Sequence, residues 1–332
     1  MKTDQTRRNF IKTLMTGVLM GPVVLKTQAF SGGGIPTRIL GNTGERVSII
    51  GFGGWDLGYI DEKLAFRMIH EGVDEGITFF DNAWEYNRGN SEVVVGKALE
   101  QANLRDKVFL MTKVCARDYK NAKKQIEDSL TRLKTDHIDL LLNHSIQYEG
   151  DKERIVDPDN GALKAVLEAK REGKIKYTGF SGHRTPEIHL DMLGVDYDWD
   201  AVLMPLNIMD AHYNSFQKKV LPVVNKRNMA ALGMKSLTGG FSRISSKVNV
   251  IPQLCRHYSL SLPISTLICG NQSLEEMRSD IAIARDFKPL TEDKINELLD
   301  LSENAAKTGE PEMYKDPTSF YGCSYHRRAL EG

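Results

Sequence analysis

Eight short apolar runs, each followed by a stretch with helical spacing, constrain this 332-residue chain more than anything else in it. The runs fall at 47–53, 77–82, 108–113, 138–143, 175–180, 200–205, 230–234 and 264–269. Between them lie segments such as EKLAFRMIHEGVDEG, QIEDSLTRLKTD, LKAVLEAKREG and SFQKKVLPVVNKR, whose apolar residues recur every three or four positions. Strands alternating with amphipathic helices predict a parallel sheet covered by helices. Eight such units predict an α/β fold of the (β/α)8 TIM-barrel class. TRIL and ERVSII, flanking Gly41-Asn42-Thr43-Gly44, predict an N-terminal β-hairpin ahead of the barrel. TEDKINELLDLSENAAK (291–307) predicts an extra C-terminal helix. The aperiodic tail, 308–332, predicts a loop folding over the barrel mouth. A doubly wound dinucleotide fold competes at VSIIGFGGWDLG, but the third glycine of its fingerprint would fall at Asp56. The later alternation also never divides into two nucleotide-binding halves.

Lys+Arg and Asp+Glu balance at 44 each, so no excess charge points to nucleic acid or an anionic membrane. Cys115, Cys255, Cys269 and Cys323 form no CxxC pair, and His183, His189 and His212 form no HxH or HExxH. No metal site is therefore expected, and the cysteines read as small buried hydrophobes. The N-terminus carries a sharper signal: twin arginines in TRRNFIK (6–12), then LMTGVLMGPVVL (14–25). Twelve residues with two glycines and a proline are too short for a bilayer needing about 20. This reads as a cleavable export signal of the twin-arginine type over 1–29, with the barrel over 30–332. The expected location is periplasmic or otherwise exported, with the twin-arginine machinery as a partner and no stable membrane anchor. Thr27-Gln28-Ala29 approximates a small-x-Ala cleavage site.

Asp81, Lys113 and His144 end the second, third and fourth predicted strands, and Tyr86 lies on the loop after Asp81. In a barrel, the C-terminal strand ends face the active site. Tyrosine, with a pKa near ~10, is a poor acid at neutral pH until a neighbouring ammonium stabilises its phenolate. Lys113 could supply that charge, Asp81 could hold the lysine, and His144 could orient a carbonyl oxygen. The four make a candidate proton donor for carbonyl reduction. Trp55, Trp84 and Tyr59 could wall a substrate pocket beside His144; packing in the core or rim is the alternative. A purely structural Asp81–Lys113 ion pair is the alternative for the charged residues.

Phe79-Phe80-Asp81-Asn82-Ala83-x-x-Tyr86, Thr112-Lys113 and Leu140-Leu141-Leu142-x-His144 together resemble the aldo-keto reductase superfamily. GFGGW (51–55), SEVVVGKAL (91–99), GKIKYTGFS (173–181) and LGMKSLTGG (232–240) follow in that family's order, over roughly residues 36 to 310. The resemblance implies hydride transfer between the C4 position of NADP or NAD and an aldehyde, ketone or keto-sugar, with Tyr86 as general acid or base. It implies cofactor contacts from Gly53, Gly54, Trp55 and Asp81, and from Ser181 and Gly182 at the nicotinamide carboxamide. Met234, Lys235, Ser236, Leu237 and Gly239 would lie beside the pyrophosphate, where backbone N–H groups and the Ser236 and Thr238 hydroxyls serve an anion. Gly270, Gln272 and Asp280 would face the adenosine end. The chain departs from the pattern at Gly182, where Asn is common, and at Leu203, where Gln is common. Gln272 stands where many members place a cation for the 2′-phosphate, so NADP and NAD both stay open. The altered carboxamide positions keep a second reading open, a nicotinamide-binding accessory protein that turns over weakly or not at all.

Overall fold

The structure, a computed structural model, describes residues 34–240, 242–316, 318 and 323; the expected export signal over 1–29 lies outside them. Strands β1 (Thr37–Ile39) and β2 (Arg46–Ser48) pair antiparallel as the predicted hairpin. Eight parallel strands follow: β3 (Ile50–Gly53), β4 (Phe79–Asp81), β5 (Phe109–Val114), β6 (Ile138–Asn143), β7 (Ile175–Ser181), β8 (Ala201–Pro205), β9 (Ala230–Met234) and β10 (Thr266–Cys269). They close into a barrel in sequence order, with β10 beside β3. The predicted strand 47–53 is divided between two sheets. Val47 and Ser48 pair with β1, whereas Ile50 onward pairs with β4 and β10, so the chain changes partner at Ile49.

Side-chain alternation builds two cores. Along β6, Leu140 and Leu142 point into the barrel with Phe79, Met111, Leu203 and Leu232, while Leu141 packs outward among helix residues. Leu40 and Val47 of the hairpin segment join the inner cluster, so the hairpin plugs the barrel interior. Outside, several helices begin on side-chain caps that satisfy their first N–H groups. Asp61 accepts from the Lys63 and Leu64 amides for helix Glu62–Asp74, and Asp118 accepts from Asn121 for helix Tyr119–Leu133. The segment SFQKKVLPVVNKR departs from a single helix. It forms two short ones, Phe216–Lys219 and Leu221–Lys226, because Pro222 has no N–H and sits only in the first turn of the second. The extra helix stands at Glu292–Ala306, and the described part of the tail adds a 3-10 turn at Glu310–Lys315. Among the described residues, no helix is long and apolar enough to cross a membrane.

One core residue carries a pH signature. His189, in helix Pro186–Leu193, is wholly buried between the Phe180 and Phe216 rings, at 5.5 and 4.8 Å. That burial lowers its imidazole to about 4. Unfolded, it would titrate near ~6.5. Below that pH the unfolded chain takes up a proton that the folded chain refuses until about pH 4. Stability is therefore full above the unfolded value and is lost as pH falls toward the folded one, by up to about 3 kcal/mol from this residue. Buried His183, also lowered by desolvation, adds a loss of the same sign. Melting curves from pH 7 to pH 4.5 should show His189→Phe losing less stability than the wild type. Parallel curves for the two proteins would remove His189 as a cause.

Candidate active site

Neighbouring strands deliver the charged centre. Gly53, Asp81 and Met111 are side by side in β3, β4 and β5. Lys113 follows two residues later along β5, its side chain wholly buried. After Asp81 the loop keeps adding backbone bonds to β5: the Asn82 amide donates to Met111 O at 2.8 Å and the Trp84 amide to Lys113 O at 3.0 Å. It then turns back sharply, with Asn87, Arg88 and Gly89 all in the left-handed region. Two non-glycine residues there cost local strain that the surroundings must over-determine. They do so through the Asn87 side chain, which donates to Trp55 O at 2.7 Å, and Asn90, which donates to Gly58 O at 2.9 Å. A side chain at Gly89 would strike the Arg132 guanidinium at 2.5 Å. Tyr86 is thus fixed at the start of this turn, facing Lys113.

Lys113 Nζ donates to the Asp81 carboxylate, to Asn82 O at 2.6 Å and to Tyr86 Oη at 3.1 Å. The ammonium also lies 4.5 Å from the Tyr86 ring centroid. Burial pulls the Lys113 ammonium below the ordinary lysine range and pushes the Asp81 carboxyl above the carboxylate range; each partner's charge opposes the other's shift. Each charge thus offsets part of the cost of burying the other. The His144 ring meets Tyr86 edge-on at 5.7 Å, and Trp55 meets it from another side at 5.5 Å. Trp55 is half exposed, a ring standing at the rim. Asp81, Lys113, Tyr86, His144 and Trp55 therefore form one cluster. Trp84 has partners of another kind: its indole N–H donates to Asp128 at 3.1 Å, and Arg132 lies 5.4 Å from its ring. These contacts tie it to helix Tyr119–Leu133.

The residues expected around a nucleotide divide into groups. Gly54 allows the chain after β3 to approach Asp81, since a Cβ there would lie 2.4 Å from Asp81 O. Ser181 Oγ accepts from the Ser145 amide at 3.4 Å, and Gly182 abuts Ile146 O and His189. In the loop after β9, Lys235, Thr238 and Gly239 all have positive φ, and turns Thr238 N to Lys235 O and Gly240 N to Leu237 O, both 2.8 Å, fold Ser236 inward. Asn207 holds the Lys235 carbonyl at 3.2 Å, while Met234 O accepts from the Leu206 amide.

Arg256, which the sequence reading passed over, joins Ser236, Gly270 and Asp280. Its guanidinium is buried and donates to Ser236 Oγ at 2.7 Å, Gly270 O at 3.1 Å and Asp280 at 3.2 Å. Burial opposes its charge, but the acidic groups Cys269 and Asp280 outweigh that and hold it above the ordinary range. Gln272 is set apart from this knot and donates to Asp56 at 3.0 Å. Gly53 lies against the Cys269–Gly270 backbone, so the loops after β3 and β10 meet.

Comparison with known proteins agrees with this fold. The Aldo/keto reductase family model matches residues 49–252, a span holding seven of the eight barrel strands. The aldo-keto reductase YhdN of Bacillus subtilis is 30% identical over 221 residues, 60% of this chain and 62% of that protein's length. L-galactose dehydrogenase of Arabidopsis thaliana is 27% identical over 305 residues, 78% of this chain and 91% of that one. The solved holo structure of aldo-keto reductase AKR11C1 from Bacillus halodurans superposes with a TM-score of 0.67 at 25% identity, covering 80% of this chain and 95% of that one. With the barrel, the motifs and the family match in agreement, this chain belongs to the aldo/keto reductase family of oxidoreductases.

Proposed function

We propose that the chain reduces an aldehyde, ketone or keto-sugar at the expense of NADPH or NADH, or runs the reverse oxidation, with Tyr86 as the proton donor. The observation that carries this is the Lys113 ammonium on the Tyr86 hydroxyl, backed by Asp81. A bound nicotinamide supplies the hydride for the carbonyl carbon. Tyr86 Oη gives its proton to the substrate oxygen as negative charge develops there. Lys113 stabilises the phenolate left behind, and Asp81 holds Lys113 in place. His144, edge-on to Tyr86, orients the same oxygen, and Trp55 bounds the pocket at the rim.

Residues at the mouth fit the cofactor. Asn143 Oδ1, Thr238 Oγ1 and Asp280 Oδ2 are buried polar atoms without a protein partner. Such groups are costly unless a ligand or water satisfies them. On this reading Asn143 and Ser181 hold the carboxamide, and Met234 to Gly239 hold the pyrophosphate, with Arg256 supplying positive charge beneath. Gly53, Gly270 and Gln272 take the adenosine side. Sugar-type substrates draw support from the dehydrogenase whose name specifies L-galactose. The twin arginines at 7 and 8 support export, with the cofactor loaded before translocation and recycled in place.

The test is mass spectrometry of nucleotide released by acid from the purified chain, alongside NADPH and NADH oxidation over a panel of aldehydes, ketones and keto-sugars. About one nucleotide per chain and carbonyl-dependent oxidation are expected. Nucleotide bound without any turnover would favour the accessory-protein reading, and neither nucleotide binding would end both.

A further inference from the structure

The barrel mouth holds a second constellation that shares only His144 with the proposed carbonyl reduction. Cys115 follows β5, His144 follows β6, Glu85 lies on the loop after β4, and Cys323 comes from the tail. One ligand atom from each lies within 4.8 Å of all the others. His144 Nδ1 is 3.6 Å from Cys115 Sγ and 3.6 Å from Glu85 Oε1. Ligand atoms held at ~2.0–2.3 Å by one tetrahedral ion stand about 3.3–3.8 Å apart. Both separations are those of neighbouring vertices around a single centre.

The donor set is equally specific. Two thiols, an imidazole and a carboxylate suit a borderline-soft ion with no geometric demand beyond four-coordination. The two cysteines and His144 are buried, and the Glu85 and His144 side chains are only 11% and 10% exposed.

We propose that Glu85, Cys115, His144 and Cys323 form a closed zinc site that staples the tail to the barrel mouth. Binding displaces two thiol protons to solvent and transfers no electrons: Zn2+ and two thiols give a zinc dithiolate and two protons. Affinity therefore rises with pH, by up to about a hundredfold per unit below the thiol range. Coordination through Nδ1 leaves the His144 proton on Nε2, so the ion sets the imidazole as a hydrogen-bond donor. Zinc here positions a side chain and a segment; it takes no part in hydride transfer.

The full chain, reduced and stripped with a chelator that is then removed, is titrated with zinc and with cobalt(II). One ion per chain is expected, with thiolate-to-cobalt charge-transfer absorption and the intense visible bands of a tetrahedral complex. Cys115→Ser and Cys323→Ser should each weaken zinc binding by more than about a hundredfold, beyond the loss of an outer partner. Cys255→Ser should bind like the wild type. Circular dichroism and melting temperatures show which variants remain folded. The proposal is overturned if the reduced, folded wild type binds no zinc at micromolar free ion. Undiminished binding in a folded Cys323→Ser, or a Cys115–Cys323 disulfide in the freshly isolated chain, overturns it as well.

Discussion

Replacing Tyr86 by phenylalanine is expected to slow carbonyl reduction by about 10²–10⁴-fold and leave the fold nearly as stable as before. The hydroxyl is the atom that the proposed chemistry needs, and phenylalanine removes it alone. Lys113 then keeps the Asp81 carboxylate and Asn82 O, so no buried charge is abandoned. Losing one hydrogen bond of this kind costs about 1 kcal/mol. The ring would still pack against Trp55 and His144. Lys113→Met should behave differently. It removes the stabiliser of the phenolate and also strands Asp81 as an uncompensated buried carboxylate, at a cost of about 3–5 kcal/mol. Single-turnover rates and melting temperatures for the two variants separate the roles: one loses rate alone, the other both. A Tyr86→Phe protein that reduces its substrate at the wild-type rate would remove Tyr86 from the chemistry.

The barrel was legible because its strands are continuous apolar runs and its helices keep a clean period between short turns. The strand-end positions of Asp81, Lys113 and His144 followed directly, since register converts strand ends into neighbours. Other features depend on approaches that no local pattern records. Arg256 lies in PQLCRHYSLS, where a lone arginine on a mixed helix reads as solvated; only the fold brings it to Ser236, Gly270 and Asp280. Trp84 read either as a pocket wall or as rim packing, and no local pattern announced that its indole N–H donates to Asp128, a helix residue 44 positions away. The Glu85, Cys115, His144 and Cys323 cluster draws on four separate segments, so no HxH or CxxC spacing could announce it. The break at Pro222 was available in principle, because proline inside a helical pattern ends or kinks it.

Lys315→Met should be among the most destabilising single changes in the described structure. The lysine reads as an ordinary charged residue in an aperiodic tail, yet it is wholly buried. Its ammonium donates to Asp210 at 2.6 Å, Glu312 at 2.7 Å and Tyr213 O at 2.8 Å. Asp210 in turn accepts from the Phe216 and Gln217 amides, so the ammonium ties the tail to the entry of the helix after β8. Burial holds both carboxyls above the ordinary range, and the lysine is what opposes that. Methionine fills similar space but leaves two carboxylates facing each other, at about 3–5 kcal/mol and a melting point lower by roughly 5–15 °C. The sign with pH follows. In the variant the folded carboxyls hold protons that the unfolded chain has released, so the deficit grows with rising pH and shrinks on acidification. Nucleotide retention should weaken in parallel. Tyr314, one residue away, stands edge-on to His183 at 5.6 Å and beneath Lys235 at 5.0 Å, beside the proposed pyrophosphate loop. Thermal melts at pH 5 and pH 8 decide it: a deficit that is absent, or larger at pH 5, would show that the two carboxylates do not depend on Lys315.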